Sequence, residues 1–335
     1  MNKRERVIAA IEHQETDFVP YHIRFTAKER QAFIDATGIS EPEAFYGNHA
    51  DVASCMDFFD EIERGLFQDE FGVVWDRRDG ADIGLPLRQI LSRPDLSGYT
   101  FPGPVEEKIA EQMSRFKNAP WDAFRLVAVG FTLYERAWTL RGIESTLEDM
   151  LLEEDFLNEL LDEIVSYNIA AMDSAREQCD DFDAFFLGDD WGQQHGLIMG
   201  ASLWRKYLGP RIAQLIEHSK KCGKYTFLHS CGDILELFPD LIDAGLDVYD
   251  TFQPEIYNIR EVKKKFGDKL SFLGGISVQT LLPRSSPDAV ESETREIIEI
   301  MGSNGGFIAA PTHDITPDVP VENVSAMIRA FQKQR

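Results

Sequence analysis

The sequence predicts an α/β chain closed into a (β/α)8 barrel of the TIM type, with an N-terminal helical and extended elaboration. From residue 126 onward, short apolar runs alternate with segments of helical apolar spacing, the pattern of a parallel sheet with helical crossovers. Those runs are apolar without alternation, as expected of strands covered on both faces. No Gly-x-Gly-x-x-Gly follows a strand, so the usual reason to prefer an open dinucleotide-binding sheet is missing.

Taken in order, Val7, Ile8 and Ile11 give residues 3–13 helical spacing. Residues 18–24 read as extended, because Pro20 forbids a helix interior. Residues 71–76 suit a strand, and 91–104, rich in Pro and Gly, a surface loop. The repeat then places strands at 126–130, 184–188, 225–229, 246–249, 270–273 and 306–309. Helices fall at 145–152, 156–179, 204–222, 234–244, 259–266 and 289–301. Six such units, with one or two strands from the N-terminal part, make eight. The 335 residues therefore read as one barrel domain, with 1–125 as elaboration and first strands and 126–330 as the main repeat.

Hydrophobic residues at 43% and charged residues at 27% exclude wholesale disorder. With 58 acidic against 34 basic side chains the net charge is −24, which argues against nucleic acid and anionic membrane as partners. No apolar run approaches the ~18–20 residues that span a bilayer. Glu12 and His13 interrupt the short apolar stretch near the N-terminus, so a secretory signal is not expected, and a cytoplasmic location is. Cys55, Cys179, Cys222 and Cys231 form no Cys-x-x-Cys pair and suit reduced thiols.

Barrel chemistry sits where strands end and loops begin. In the run 228–233, His229 and Cys231 lie two residues apart and so face the same way, able to grip one ion, and Gly232 permits an unusual turn directly after them. Imidazole and thiolate are ligands zinc prefers, and a third protein ligand leaves a position open. His313, after the last strand, is the third ligand of choice; a loop histidine capping a helix is the plainer reading. Glu135 suits a metal ligand or base, or an internal ion pair with Arg136. Asp189 and Asp190, beside Trp191 and Gln193, suggest a polar ligand pocket, with a helix cap by either aspartate as the rival account.

Together these segments resemble the uroporphyrinogen decarboxylase-like superfamily, in particular its corrinoid-linked, zinc-dependent methyltransferase branch. The matching stretches are 2–7, 131–142, 188–196, 229–232, 272–276 and 305–323. The resemblance implies a (β/α)8 barrel with a deep site at the strand C-termini, and zinc held by His229, Cys231 and one later residue. That residue is commonly a cysteine in the thiol methyltransferases; here the position is His313, which weakens the case for a thiol acceptor. The decarboxylases of the family carry an arginine-rich N-terminal segment that meets substrate carboxylates; here the segment 21–26 holds Arg24 alone.

Two imidazoles and one thiolate leave the ion more positive than a Cys-rich set, better able to polarise an ether oxygen. The expected function is therefore transfer of a methyl group from a small methylated compound, a methoxylated one by preference, to the cobalt of a corrinoid (cobalamin). A separate partner protein would supply that corrinoid. Glu135 and Asp189 are the candidate catalytic residues. Arg24, Trp138, Asp190, Trp191, Gln193 and Gln253 are the candidate substrate contacts, and the chain acts alone or as a homodimer. An acceptor-side enzyme using a thiol or tetrahydrofolate, a uroporphyrinogen-type decarboxylase and a non-catalytic ligand-binding barrel are the alternatives.

Overall fold

Seven parallel strands run in chain order around a curled sheet: β1 Ala50–Ser54, β2 Phe124–Phe131, β3 Ala184–Gly188, β4 Tyr225–His229, β5 Val248–Phe252, β6 Ser271–Ile276 and β7 Phe307–Pro311. The structure, a computed structural model, describes residues 1–118 and 122–334. Residues 20–23 close the ring. The Ala309 N–H donates to the Pro20 carbonyl and His22 N–H to the Ala309 carbonyl, while on the other side His49 N–H donates to Tyr21 O. This irregular eighth stave is the extended segment expected around Pro20, which has no N–H to give a regular ladder. The fold is thus the α/β TIM-like barrel that the alternation of strands and helices predicts.

Each of the six expected main-repeat strands is present, within a few residues at either end. β1 was not anticipated: its run Ala-Asp-Val-Ala-Ser carries too few large apolar residues to stand out. The strand expected at 71–76 forms only as Val74–Asp76, and it lies outside the barrel. It belongs to an antiparallel meander with Asp60–Glu63, Leu66–Gln68 and Leu85–Pro86, laid over the barrel mouth, where Trp75 stacks on Phe131 at 5.1 Å.

The first helix, α1 (Lys3–Ile11), plugs the opposite end. Asn2 caps it, its Oδ1 accepting Glu5 N–H while the Glu5 carboxylate accepts Asn2 N–H. Val7, Ala10 and Ile11 then pack into the foot of the barrel against Leu126, Phe227 and Val248. Gly306 N–H and the Ser271 hydroxyl donate to carbonyls of α1. One end is therefore sealed and the other, at the strand C-termini, is open. Among the described residues no helix is long and apolar enough to cross a membrane.

Candidate functional site

Sheet register creates the centre of the site. His229 and Asp250 are aligned partners on neighbouring strands β4 and β5, so both side chains enter the barrel at the same height. The His229 Nδ1 lies 2.6 Å from the Asp250 carboxylate. This contact places the ring proton on Nδ1 and turns the Nε2 lone pair outward, as for a metal-ligating imidazole. The Cys231 Sγ lies 3.4 Å from that Nε2, and an Asp190 oxygen lies 3.6 Å from it. Ligand atoms of His229, Cys231 and Asp190 all fall within 4.8 Å of one another, and this donor set suits zinc.

Two loops bring these groups together. Gly192 and Gly232 approach so closely that a Cβ on Gly232, which has φ of +82°, would lie 2.3 Å from the Gly192 carbonyl carbon. Cys231 N–H donates to Asp190 Oδ1 at 2.7 Å and Asp233 N–H to the Gln193 carbonyl at 2.8 Å. Gln253 Oε1 accepts Gly232 N–H, fixing the turn from a third side.

Electrostatics follows from burial and pairing. Burial alone would raise the Asp250 carboxyl; the Arg24 and His229 charges overcome this and hold it below its ordinary value. Burial would likewise lower His229, but Asp250 and then Cys231 raise it well above the usual imidazole range. Glu135 is raised well above an ordinary carboxyl by burial, then by Asp190 and Asp189, which favours its protonated form. Its carboxyl lies by the Asp190 backbone N–H, beside the cluster. Asp250→Asn, which removes the charge behind His229, is expected to weaken zinc affinity about 10–100-fold, measured by competition with a chelating dye.

Residues 128–334 match the family described as uroporphyrinogen decarboxylase (URO-D). The chain belongs to the URO-D family. Among curated relatives, a methylated-thiol--coenzyme M methyltransferase of Methanosarcina mazei is 24% identical over 99% of this chain and 90% of its own length. A methylcobamide:CoM methyltransferase, MtaA, of Methanosarcina barkeri is 30% identical over 40% of this chain and 37% of its own. A uroporphyrinogen decarboxylase of Coxiella burnetii is 25% identical over 56% of the chain and 50% of its own length. In fold, a methyltransferase from Methanosarcina mazei superimposes over 99% of both chains with a TM-score of 0.74 at 20% identity.

Within this URO-D chain the expected residues sort unevenly. His229 and Cys231 meet as expected. The third member of the tight cluster is Asp190, expected instead to contact substrate. The His313 ring stands 6.3 Å from that of His229, centroid to centroid, exposed on a loop at the rim. Gln193, Gln253 and His313 all line a mouth cleft of about 600 Å³.

Three other expectations need correction. Asp189 is fully buried, and its carboxylate accepts the N–H groups of Leu133, Tyr134 and Glu135 and the Trp191 indole. It caps the helix α2 (Tyr134–Arg141) and has no lone pair left for proton transfer, although burial pushes its pKa up to about 6. Trp191 is also fully buried and packs on Trp204 at 5.2 Å, and Trp138 packs against the same core, so neither lines the cavity. Arg24, expected to meet substrate, donates to both oxygens of Asp250 and lies 3.6 Å from Asp314.

Arg136 does form internal ion pairs, but not with Glu135. Fully buried, it bridges Asp57 at 2.5 Å and Asp69 at 2.7 Å and lies over the Phe71 ring. This anchors α2 to the meander, with Glu135 on the side of the His229, Cys231 and Asp190 cluster. Sequence reasoning missed Asp250 as the partner of His229, because only strand register joins residues 21 apart. It also missed a grouping of Asp173, His218 and Cys222 between outer helices.

Proposed function

We infer that this protein is a zinc-dependent methyltransferase that moves a methyl group from a small methylated compound, a methoxylated one by preference, to the cobalt of a corrinoid held by a partner protein. The observation that carries this reading is the single-thiolate grouping of His229, Cys231 and Asp190 at the open end of the barrel, with Asp250 orienting the imidazole. His229 Nε2, Cys231 Sγ and an Asp190 oxygen would hold the ion, with His313 as a further ligand from the rim. Zinc bound there supplies a Lewis acid for the heteroatom that carries the methyl group.

The chain's own residues do the rest. Asp250 keeps His229 in the tautomer that leaves Nε2 free, and Arg24 keeps Asp250 ionised. Protonated Glu135 gives its proton to the departing oxygen as the methyl carbon passes to cobalt; the C–O bonding pair stays with that oxygen. Gln193 and Gln253 at the mouth orient the substrate. Decarboxylation of a substrate with many carboxylates is a poor fit, since Arg24, the arginine of segment 21–26, is already paired.

The relatives named as acting on thiols and coenzyme M favour a second reading, in which methyl passes from a methylated corrinoid to a thiol. Incubation of zinc-loaded protein with cob(I)alamin and a panel of methoxylated compounds separates the two. Formation of methylcobalamin is the expected result. No product from the panel, together with consumption of methylcobalamin by a thiol or tetrahydrofolate, would reverse the direction.

A further inference from the structure

The inner faces of the strands leave a cavity where a barrel of this type is ordinarily filled by bulky branched side chains. Strand alternation points Ala50 inward at its foot and Ala128 and Gly188 inward higher up, and the space, which runs out to Arg30, Glu43 and Arg115, measures about 710 Å³. Val52, Leu126 and Phe186 give it apolar walls. Its top meets the candidate metal cluster: the Phe186 ring is 6.4 Å from that of His229, and Arg24, also on the wall, holds Asp250.

The same alternation along residues 21–24 sends Tyr21 and Ile23 into the outer core and His22 and Arg24 into this space. His22 is 8% exposed, and its Nδ1, with almost no accessible surface, finds no hydrogen-bond partner among the described residues. Burial, then the Arg24 charge, pushes its pKa down to about 3, so the ring is neutral. A buried polar group without a partner ordinarily marks a place where a ligand or water completes the bonding.

Charge narrows what that ligand is. Every arginine on the wall is already neutralised: Arg24 by Asp250 and Asp314, Arg30 by Glu41 and Glu43, and Arg115 by Asp51. Lys3, from α1, lies at the foot of the barrel, the far end from the cluster. In the mouth cleft Arg284 shares the lining with two carboxylates, Asp314 and Asp318, without an ion pair to either. An anionic substrate seated in the chamber itself would leave water without gaining an unpaired arginine on its wall.

We propose that this chamber binds an uncharged compound with an apolar body, and that His22 selects it by a hydrogen bond to a neutral oxygen such as a hydroxyl or ether. The proposal rests on the methyl-transfer reading for its use, but its test does not. Calorimetry on the purified protein, without corrinoid, compares 2-methoxyphenol with 2-methoxybenzoate, matched in shape and differing in charge, and adds 2-mercaptoethanesulfonate as a small anionic thiol. The neutral probe is expected to bind at least about tenfold more tightly than either anion, and His22→Phe to lower its affinity about tenfold at unchanged zinc content and melting temperature. His22→Gln, which keeps a polar group, should retain most of the affinity.

Tighter binding of either anion, no binding of the neutral probe, or an unchanged affinity in His22→Phe would overturn the proposal. If His22→Phe fails to fold, the wild-type preference and His22→Gln still decide it. Selective binding of 2-methoxyphenol with no methyl transfer to cobalt would sink the functional reading and leave the chamber standing. Efficient methyl transfer from an anionic donor to cobalt would do the reverse.

Discussion

Replacing Cys231 by serine is expected to reduce bound zinc from about one equivalent to a small fraction and to slow methyl transfer by at least about a hundredfold, read by metal analysis and single-turnover formation of methylcobalamin. A hydroxyl at this position stays protonated and binds zinc poorly. The loss should exceed that from Asp250→Asn, because Cys231 supplies a donor atom whereas Asp250 only orients one. Burial raises the Cys231 thiol and its neighbours raise His229, so zinc must displace protons from both. The apparent affinity of the wild-type protein should therefore climb as pH rises through neutrality, and Cys231→Ser should flatten that slope. A variant that retains full zinc and full activity would remove the basis of the proposed chemistry.

Arg136→Met is expected to destabilise the fold by about 3–5 kcal/mol, lowering the melting temperature by roughly 10 °C. The guanidinium is fully buried between Asp57 and Asp69, so its removal leaves two carboxylates without their counter-charge in the interior. Burial already lifts Asp57 to about 7 even with Arg136 in place. Without the arginine Asp57 should take up its proton at higher pH, so the variant's deficit should grow from pH 6 to pH 8. A melting temperature within about 2 °C of wild type would show that the network contributes little.

How much of this was legible in the sequence depended on the range of the interaction. The six main-repeat strands announce themselves by unbroken apolar runs, and His229 and Cys231 by local spacing with a glycine behind them. β1 was hidden because its inner positions are small, and those small residues are part of what keeps the chamber open. The Asp189 and Asp190 pair was recognised as a unit, yet its two members part company: one turns inward to cap α2 and the other outward to the ligand cluster. Local sequence cannot say which, since the answer is set by the backbone N–H groups of residues 133–135 and 231. Arg24 reads as a substrate contact because it stands in the segment where the family's decarboxylases hold arginines that meet substrate carboxylates. The register of β5 gave it Asp250 instead.

The close approach of Gly192 and Gly232 has a consequence for engineering this protein. The two segments mate backbone to backbone like the halves of a dovetail joint, so the spacing between the carboxylate from one and the thiolate from the other is machined into main-chain atoms. Transplanting either segment alone into a homologous barrel should fail, however faithfully the donor atoms are copied. Only the pair, moved as a single cassette, carries the spacing with it.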